Sequence, residues 1–214
     1  MRIFVFNIGS SSIKYHLYDM DTENLLLSGL LSQIDETESS YIFRIHNSSN
    51  DIKEYYEKLS VYDYKQGVKK IFADIESKTN LNLSESLHAI GHRVVHGGSK
   101  FLTPTRINNN SLKVIRETIP LAPLHNPANL SGIEVAIDLY PHIPQVAVFD
   151  TSFFQTLPEH AYRYALPDQL FQDHQVRRYG FHGISHQYIA KKTADFLGQP
   201  HKKLRLITLH LGNG

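Results

Sequence analysis

The chain has 214 residues, 41% apolar and 20% charged, and a net charge of +1. That is the composition of a soluble globular protein, long enough for one large domain or two small ones, and it gives no ground for wholesale binding to nucleic acid or to an anionic membrane surface. The absence of cysteine excludes disulfides, thiolate metal sites and a cysteine nucleophile.

The N-terminal run MRIFVFNIGSSS has one Arg and a short apolar stretch broken by Asn7 and Gly9. It is too short and too polar for a signal peptide, and no stretch approaches the roughly 20 apolar residues of a membrane span. The cytoplasm is the expected location. Residues 2–6 and 12–18 read as strands around a Gly-Ser turn and 24–32 as a third, an N-terminal meander. Residues 35–60 are polar and read as irregular, with a strand as one option at YIFRI. Val68, Ile71, Phe72 and Ile75 then recur at i, i+3, i+4 and i+7, one face of an amphipathic helix. SLHAIGHRVVHGG reads as a strand ending in a glycine turn. LHNPANLSGIEVAIDLY reads as a helix capped by Asn126, with Pro127 at its first position. PQVAVFD is a short buried strand ending on Asp150. SHQYIAKKTADFLG is a helix capped by Ser185 and stopped by Gly198, and RLITLHLGNG is a final strand with a turn. A meander followed by alternating helices and strands predicts an α/β architecture with a mixed sheet. A shift in composition after Asp150 marks a candidate boundary.

The first and last of these segments repeat each other. RIFVFNIGSS and RLITLHLGNG align without a gap, matching Arg2 to Arg205, Phe6 to Leu209, Asn7 to His210 and Gly9 to Gly212. Small residues after a strand let backbone N–H groups approach phosphate oxygens, and glycine tolerates unusual backbone angles. Two hairpin turns are the plain reading; a matched pair suggests a duplicated domain with nucleotide between its halves.

No G-x-x-x-x-G-K-[ST] loop and no G-x-S-x-G elbow is present. His92 and His96, and His182 and His186, have the spacing of metal ligands on a helix, which makes a zinc-dependent hydrolase an alternative. Val94-Val95 favours a strand, Gly183 disfavours a helix, and no H-E-x-x-H accompanies them. A broader set of polar residues stands at strand ends or beside glycines: Asn7, Ser10, Ser12, Lys14, Arg93, His125, Asn126, Asp150, His182 and Asn213. Asp150 at the carboxyl end of a buried strand reads either as a metal or nucleophile ligand or as a cap. Arg93 reads either as a buried ion-pair partner or as an anion binder.

FNIGSSSIKY, GHRVVHGGSKF, LAPLHNPANLSGI, VAVFDTSFFQTLP, YGFHGISHQYIA and ITLHLGNG, in that order, resemble the motif series of the acetate kinases, in the sugar kinase, heat-shock ATPase and actin-like superfamily. The resemblance implies an actin-like (ribonuclease H-like) mixed sheet flanked by helices, duplicated in the family. Here residues 1–150 would be the first domain and 151–214 the start of the second, nucleotide-binding one. It implies reversible transfer of the γ-phosphoryl group of ATP to acetate, with Mg²⁺ or Mn²⁺, and a homodimer for full-length members. Asn7 would assist the metal. Lys14, Ser10 and Ser12 would serve the nucleotide, and His210, Leu211, Gly212, Asn213 and Gly214 would line its phosphates. Arg93 would bind the substrate carboxylate or the transferring group. Asp150 would be the catalytic acid, and His182 would stabilise the transition state with His125 nearby. Val95, Leu124 and Phe181 would receive the substrate methyl.

Such a transfer brings anions together, so positioning and cationic stabilisation dominate. Acetate, with a pKa of about 4, is already ionised at neutral pH. Asp150 is therefore expected to orient the metal or the nucleophile rather than act as a base. Family members continue well beyond this length, so LHLGNG reads as a phosphate loop cut at its tip. A folded but inactive fragment that binds anions is the alternative for the chain alone, and propionate kinase is the alternative for the substrate.

Overall fold

A computed structural model of the chain describes residues 1–47 and 51–212. One eight-stranded mixed sheet organises them, in the order β5-β4-β3-β2-β1-β6-β8-β7. The meander is β1 (Arg2–Ile8), β2 (Ser12–Asp19) and β3 (Asn24–Ser32), each antiparallel to the next. It continues through β4 (Ser39–His46) and β5 (Ile52–Leu59), so the stretch expected to be irregular is mostly strand. β4 alternates buried Tyr41 and Phe43 with half-buried Ile42 and Arg44, and that period of two carries a strand even where polar residues dominate. The exposed edge strand β5, IKEYYEKL, carries its lysines and glutamates outward, a composition that discourages pairing with another chain.

Helix α1 (Tyr64–Thr79) follows, capped by Asp63, whose Oδ1 accepts from the N–H of Gln66. Its predicted face, Val68, Ile71, Phe72 and Ile75, is buried against Phe4, Phe6, Tyr15 and Leu17 of β1 and β2. A one-turn helix α2 (Leu83–Ser86) leads into β6 (Ala89–Val94), parallel to β1. The short β7 (Thr105–Arg106) precedes α3 (Asn109–Glu117), which opens on a reciprocal capping box between Asn108 and Ser111. The run of three asparagines before Ser111 reads as a loop and hides that helix in the sequence.

Helix α4 (Asn126–Leu139) lies where expected, but its cap differs. Its N-cap is His125, and Asn126 lies inside the first turn, fully buried. Asn126 accepts from the N–H of His96 and donates to the C=O of His96 and to Thr118 Oγ1, holding the His-Gly-Gly turn instead of the helix end. Strand β8 (Gln145–Phe149) is parallel to β6 and ends directly before Asp150. Two short helices, α5 (Glu159–Tyr162) and α6 (Asp168–His174), lead to α7 (Gly183–Phe196).

Helix α7 starts three residues earlier than the sequence suggests. Gly183, read as a helix breaker, is its first residue, and His182 is the N-cap in place of Ser185. A Cβ at Gly183 would lie 2.1 Å from the backbone oxygen of Asp150, so only glycine lets the helix start against that strand end. Gly198, with φ +60°, stops the helix as predicted.

The strand expected over 205–211 does not form. Ile207, Leu209 and Leu211 are 91%, 80% and 86% exposed, and among the described residues no strand pairs with the segment. Alternation of apolar residues makes a strand only where a sheet edge and a buried face receive it. Gly9 also departs from expectation: it is outside the left-handed region, and its turn closes by its N–H donating to the Ser12 C=O at 2.8 Å. Asn213 and Gly214 lie outside the described residues. No helix is long and apolar enough to cross a membrane among the described residues.

Candidate functional site

Parallel strands β1, β6 and β8 end on the same side of the sheet, and Asn7, Arg93 and Asp150 stand at or just past those ends. Open α/β sheets place ligands in the crevice outside such carboxyl ends. Arg93 occupies the centre. Its Nε lies 3.2 and 3.1 Å from the two carboxylate oxygens of Asp150, and its Nη2 donates to Oδ2 at 2.6 Å. Its Nη1 donates to Asn7 Oδ1 at 2.8 Å. The ion pair is one of the two readings the sequence left open for Arg93, with the Asp150 side chain 2% exposed and Arg93 23%. A guanidinium has five N–H donors, and these contacts leave one on Nη1, the second on Nη2 facing His182 Nδ1. The partly exposed edge of Arg93 therefore keeps capacity for an anion.

His182 approaches from the start of α7, its Nδ1 3.5 Å from Arg93 Nη2 and 4.0 Å from Asp150 Oδ2. It holds a left-handed backbone at φ 55°, a strained conformation for a residue with a Cβ, fixed by Gly183 N–H donating to the Asp150 C=O at 3.0 Å. Its pKa is lowered, first by burial and then by the imidazole of His210. The two rings stack at 4.3 Å and 5°, and His210 Nδ1 is 3.0 Å from Ser185 Oγ.

A cleft of about 550 Å³ joins these groups. Gly9 and Ser10 line it on one side and His210 and Gly212 on another, with Arg93, Asp150, His125 and His182 between. Val95, Leu124 and Phe181 supply apolar wall, together with Leu121, Ala122 and Pro123, which the sequence did not single out. Gly9 and its counterpart in the internal repeat, Gly212, thus face one cleft. Asn7, Ser12, Lys14 and Leu211 do not line it: Asn7 reaches it only through Arg93, Ser12 is half-buried, Lys14 is exposed beside Asn7 in the β1–β2 register, and Leu211 is exposed.

The histidine pairs separate. His92 is buried on β6, its Nε2 2.8 Å from Gln145 Oε1, and His96 accepts from the N–H of Gly98. Among the described residues no three His, Asp or Glu side chains converge as a metal cluster. For Mg²⁺ or Mn²⁺ the donor chemistry of the cleft does fit. Asn7 and Asp150 offer amide and carboxylate oxygens, the hard ligands those ions take alongside water and phosphate, gathered on one guanidinium.

Two residues that hold this geometry escaped the sequence reading. Asn129 on α4 bonds both β1 and β6, and Tyr64 at the start of α1 bonds the Gly9–Ser10 turn. A lone Asn within a helical pattern and a Tyr beside a variable surface stretch carry no signal in one sequence.

The chain is similar to known proteins. The chain is 46% identical to an acetate kinase of Helicobacter pylori over 214 residues, covering 100% of itself and 53% of that relative. The solved acetate kinase of Porphyromonas gingivalis superposes with a TM-score of 0.86 at 40% identity, over 100% of this chain and 53% of that one. A solved propionate kinase of Francisella tularensis gives a TM-score of 0.83 at 38% identity, over 92% and 49%. The chain thus spans about half the length of the curated relatives it matches. The mixed sheet flanked by helices is the actin-like fold that the resemblance implied. With residues 2–214 matching the acetokinase family, the strand-end cleft and its arginine–aspartate pair sit in a chain that belongs to that family.

Proposed function

We propose that the cleft is the carboxylate half of an acetate-kinase-type site, which moves the γ-phosphoryl group of ATP directly to acetate and forms acetyl phosphate and ADP. One observation carries this reading: an arginine anchored by a buried carboxylate, with one N–H of Nη1 left free, stands beside an apolar wall of Val95, Leu124 and Phe181. A small carboxylate with a short alkyl tail fits that pairing of chemistries.

In this reading Arg93 binds the anion and is itself aimed by Asp150 and Asn7. Asp150 takes no proton from acetate, which is already ionised; it keeps the guanidinium in one orientation. His182, neutral through burial, donates a hydrogen bond to a phosphoryl oxygen as charge develops. His125 borders the acceptor. Ser10 and the backbone of its turn, with His210 and Gly212 opposite, receive the nucleotide phosphates. Lys14 and Ser12 support that turn from β2, and Leu211, Asn213 and Gly214 would serve the phosphates as the family resemblance implies. Asn7 and Asp150 would hold Mg²⁺ or Mn²⁺, which when bound would neutralise charge between phosphate groups. Residues 1–150 form one lobe and 151–214 begin another, and the reaction belongs to the cytoplasm.

The test is a fusion of this chain to the remaining half of the H. pylori relative, assayed for ATP-dependent acyl phosphate trapped with hydroxylamine. The fusion is expected to turn over acetate, with far less product from the 214-residue chain alone, and Arg93→Lys is expected to abolish it because lysine lacks the planar fork. A folded fusion without product, or an unaffected Lys variant, contradicts the reading. Propionate is a second expected substrate, since the open wall leaves room and one methylene discriminates by only about 1–3 kcal/mol.

A further inference from the structure

β1 and β6 pair in register as far as Asn7 and Arg93. Beyond that point they part, β1 entering the Gly9–Ser11 turn and β6 running on to Val95 in the cleft wall. Helix α4 fills the fork. The buried side chain of Asn129 donates from Nδ2 to the C=O of Ile8 at 2.9 Å and accepts at Oδ1 from the N–H of Val95 at 3.0 Å. One rigid amide therefore spans the last carbonyl before the turn and the first N–H of the acceptor wall. Gly132, one helical turn on, permits the approach: a Cβ there would lie 2.2 Å from Ile8 Cδ1. The turn has a second fastening, because the Tyr64 hydroxyl donates to the C=O of Ser10 at 2.5 Å and of Gly9 at 3.2 Å. Neither side chain lines the cleft.

We infer that Asn129 and Tyr64 are positioning residues that fix the separation between the Gly9–Ser10 turn and the carboxylate pocket, and so favour a ligand occupying both, an acyl phosphate, over either of its parts. The inference rests on the reading of the cleft proposed above. A ligand that touches only the pocket, or only the turn, follows whichever half it binds and is indifferent to their spacing. A ligand that touches both gains its second set of contacts only where the spacing is right, and misplacement by about 1 Å removes most of that gain.

Calorimetric titration of the chain with acetate, inorganic phosphate and acetyl phosphate tests this. Asn129→Asp keeps the acceptor for Val95 and turns a second oxygen against the Ile8 carbonyl, so the turn shifts while the side-chain shape is kept. The wild-type chain is expected to bind acetyl phosphate more tightly than either part. Asn129→Asp should weaken acetyl phosphate about tenfold, the equivalent of one lost hydrogen bond, and leave acetate and phosphate within about twofold. Tyr64→Phe, which removes only a hydroxyl from a half-buried ring, should weaken acetyl phosphate selectively by about threefold and decides the matter if the Asp variant does not fold. Unchanged acetyl phosphate binding overturns the inference, as does an equal fall for all three ligands, the mark of a general loosening. A wild-type chain that binds neither acetate nor acetyl phosphate overturns the reading of the cleft, and this inference with it.

Discussion

At the scale of residues, the ion pair at the centre of the site is both chemistry and structure. Removing one partner of a buried pair leaves an uncompensated charge, so Arg93→Met should destabilise the chain by about 3–5 kcal/mol, whereas the double variant Arg93→Met, Asp150→Leu should cost less than that single change. Chemical unfolding of the wild-type chain and the two variants measures this; a double variant less stable than Arg93→Met would contradict it. His92 and His96 make a separate prediction. Burial lowers each pKa from 6.5 to about 4, so the unfolded chain binds more protons than the folded one between those values. Stability is full above pH 6.5 and falls as pH drops toward 4. For His92 alone the loss between pH 7.5 and pH 5 is about 2 kcal/mol, which His92→Gln should remove from the pH profile of thermal unfolding. An identical profile in the variant would contradict it. Residues named by motif, Arg93, Asp150, His125 and His182, were legible in the sequence because they sit at strand ends or beside glycines. What Arg93 touches was not, since an ion pair joining positions 93 and 150 is set by two parallel strands and not by local pattern. Asn129 and Tyr64 were illegible for the same reason: each acts on backbone far away in the chain.

At the scale of elements, periodicity served wherever a segment has one buried face. It found β1, β2, β3, α1, α4, β6 and β8. It failed at α3, whose start is a run of turn-forming asparagines, and at β5, whose polar residues hid the alternation; the strand offered as an option at YIFRI is the centre of β4. It failed in the opposite sense over 205–211, where the pattern is present and the partner sheet edge is not. Gly183 shows how a tertiary contact overrides propensity. Glycine is poor in helices, yet here its missing Cβ admits the Asp150 carbonyl. Gly183→Ala should therefore lose stability despite alanine's better propensity, by about 1–3 kcal/mol of overpacking strain, and should displace His182 from Arg93. Thermal unfolding checks the first, and the pH titration of the His182 ring by NMR the second. A stabilised variant with an unchanged His182 titration would contradict this account of why α7 begins there.

At the scale of the whole molecule, the sheet joins a two-faced problem to a half-length chain. β1 buries Phe4, Phe6 and Ile8 under α1 and α4 while Ile3, Val5 and Asn7 on the opposite face are half-buried. Ile189, Phe196, Leu197, Ile207, Leu209 and Leu211 are exposed at the other end of the chain. The arginine–aspartate pair, the apolar wall, the Gly9–Ser10 turn and Gly212 nevertheless meet in one cleft among the described residues, so the proposed carboxylate recognition should not require the complete reaction. Titrating acetate into the chain while following the Val95 methyl groups by NMR tests that claim most directly. The account predicts a saturable shift at Val95 that Arg93→Lys suppresses. No shift, or a shift of equal size in the Lys variant, would contradict it.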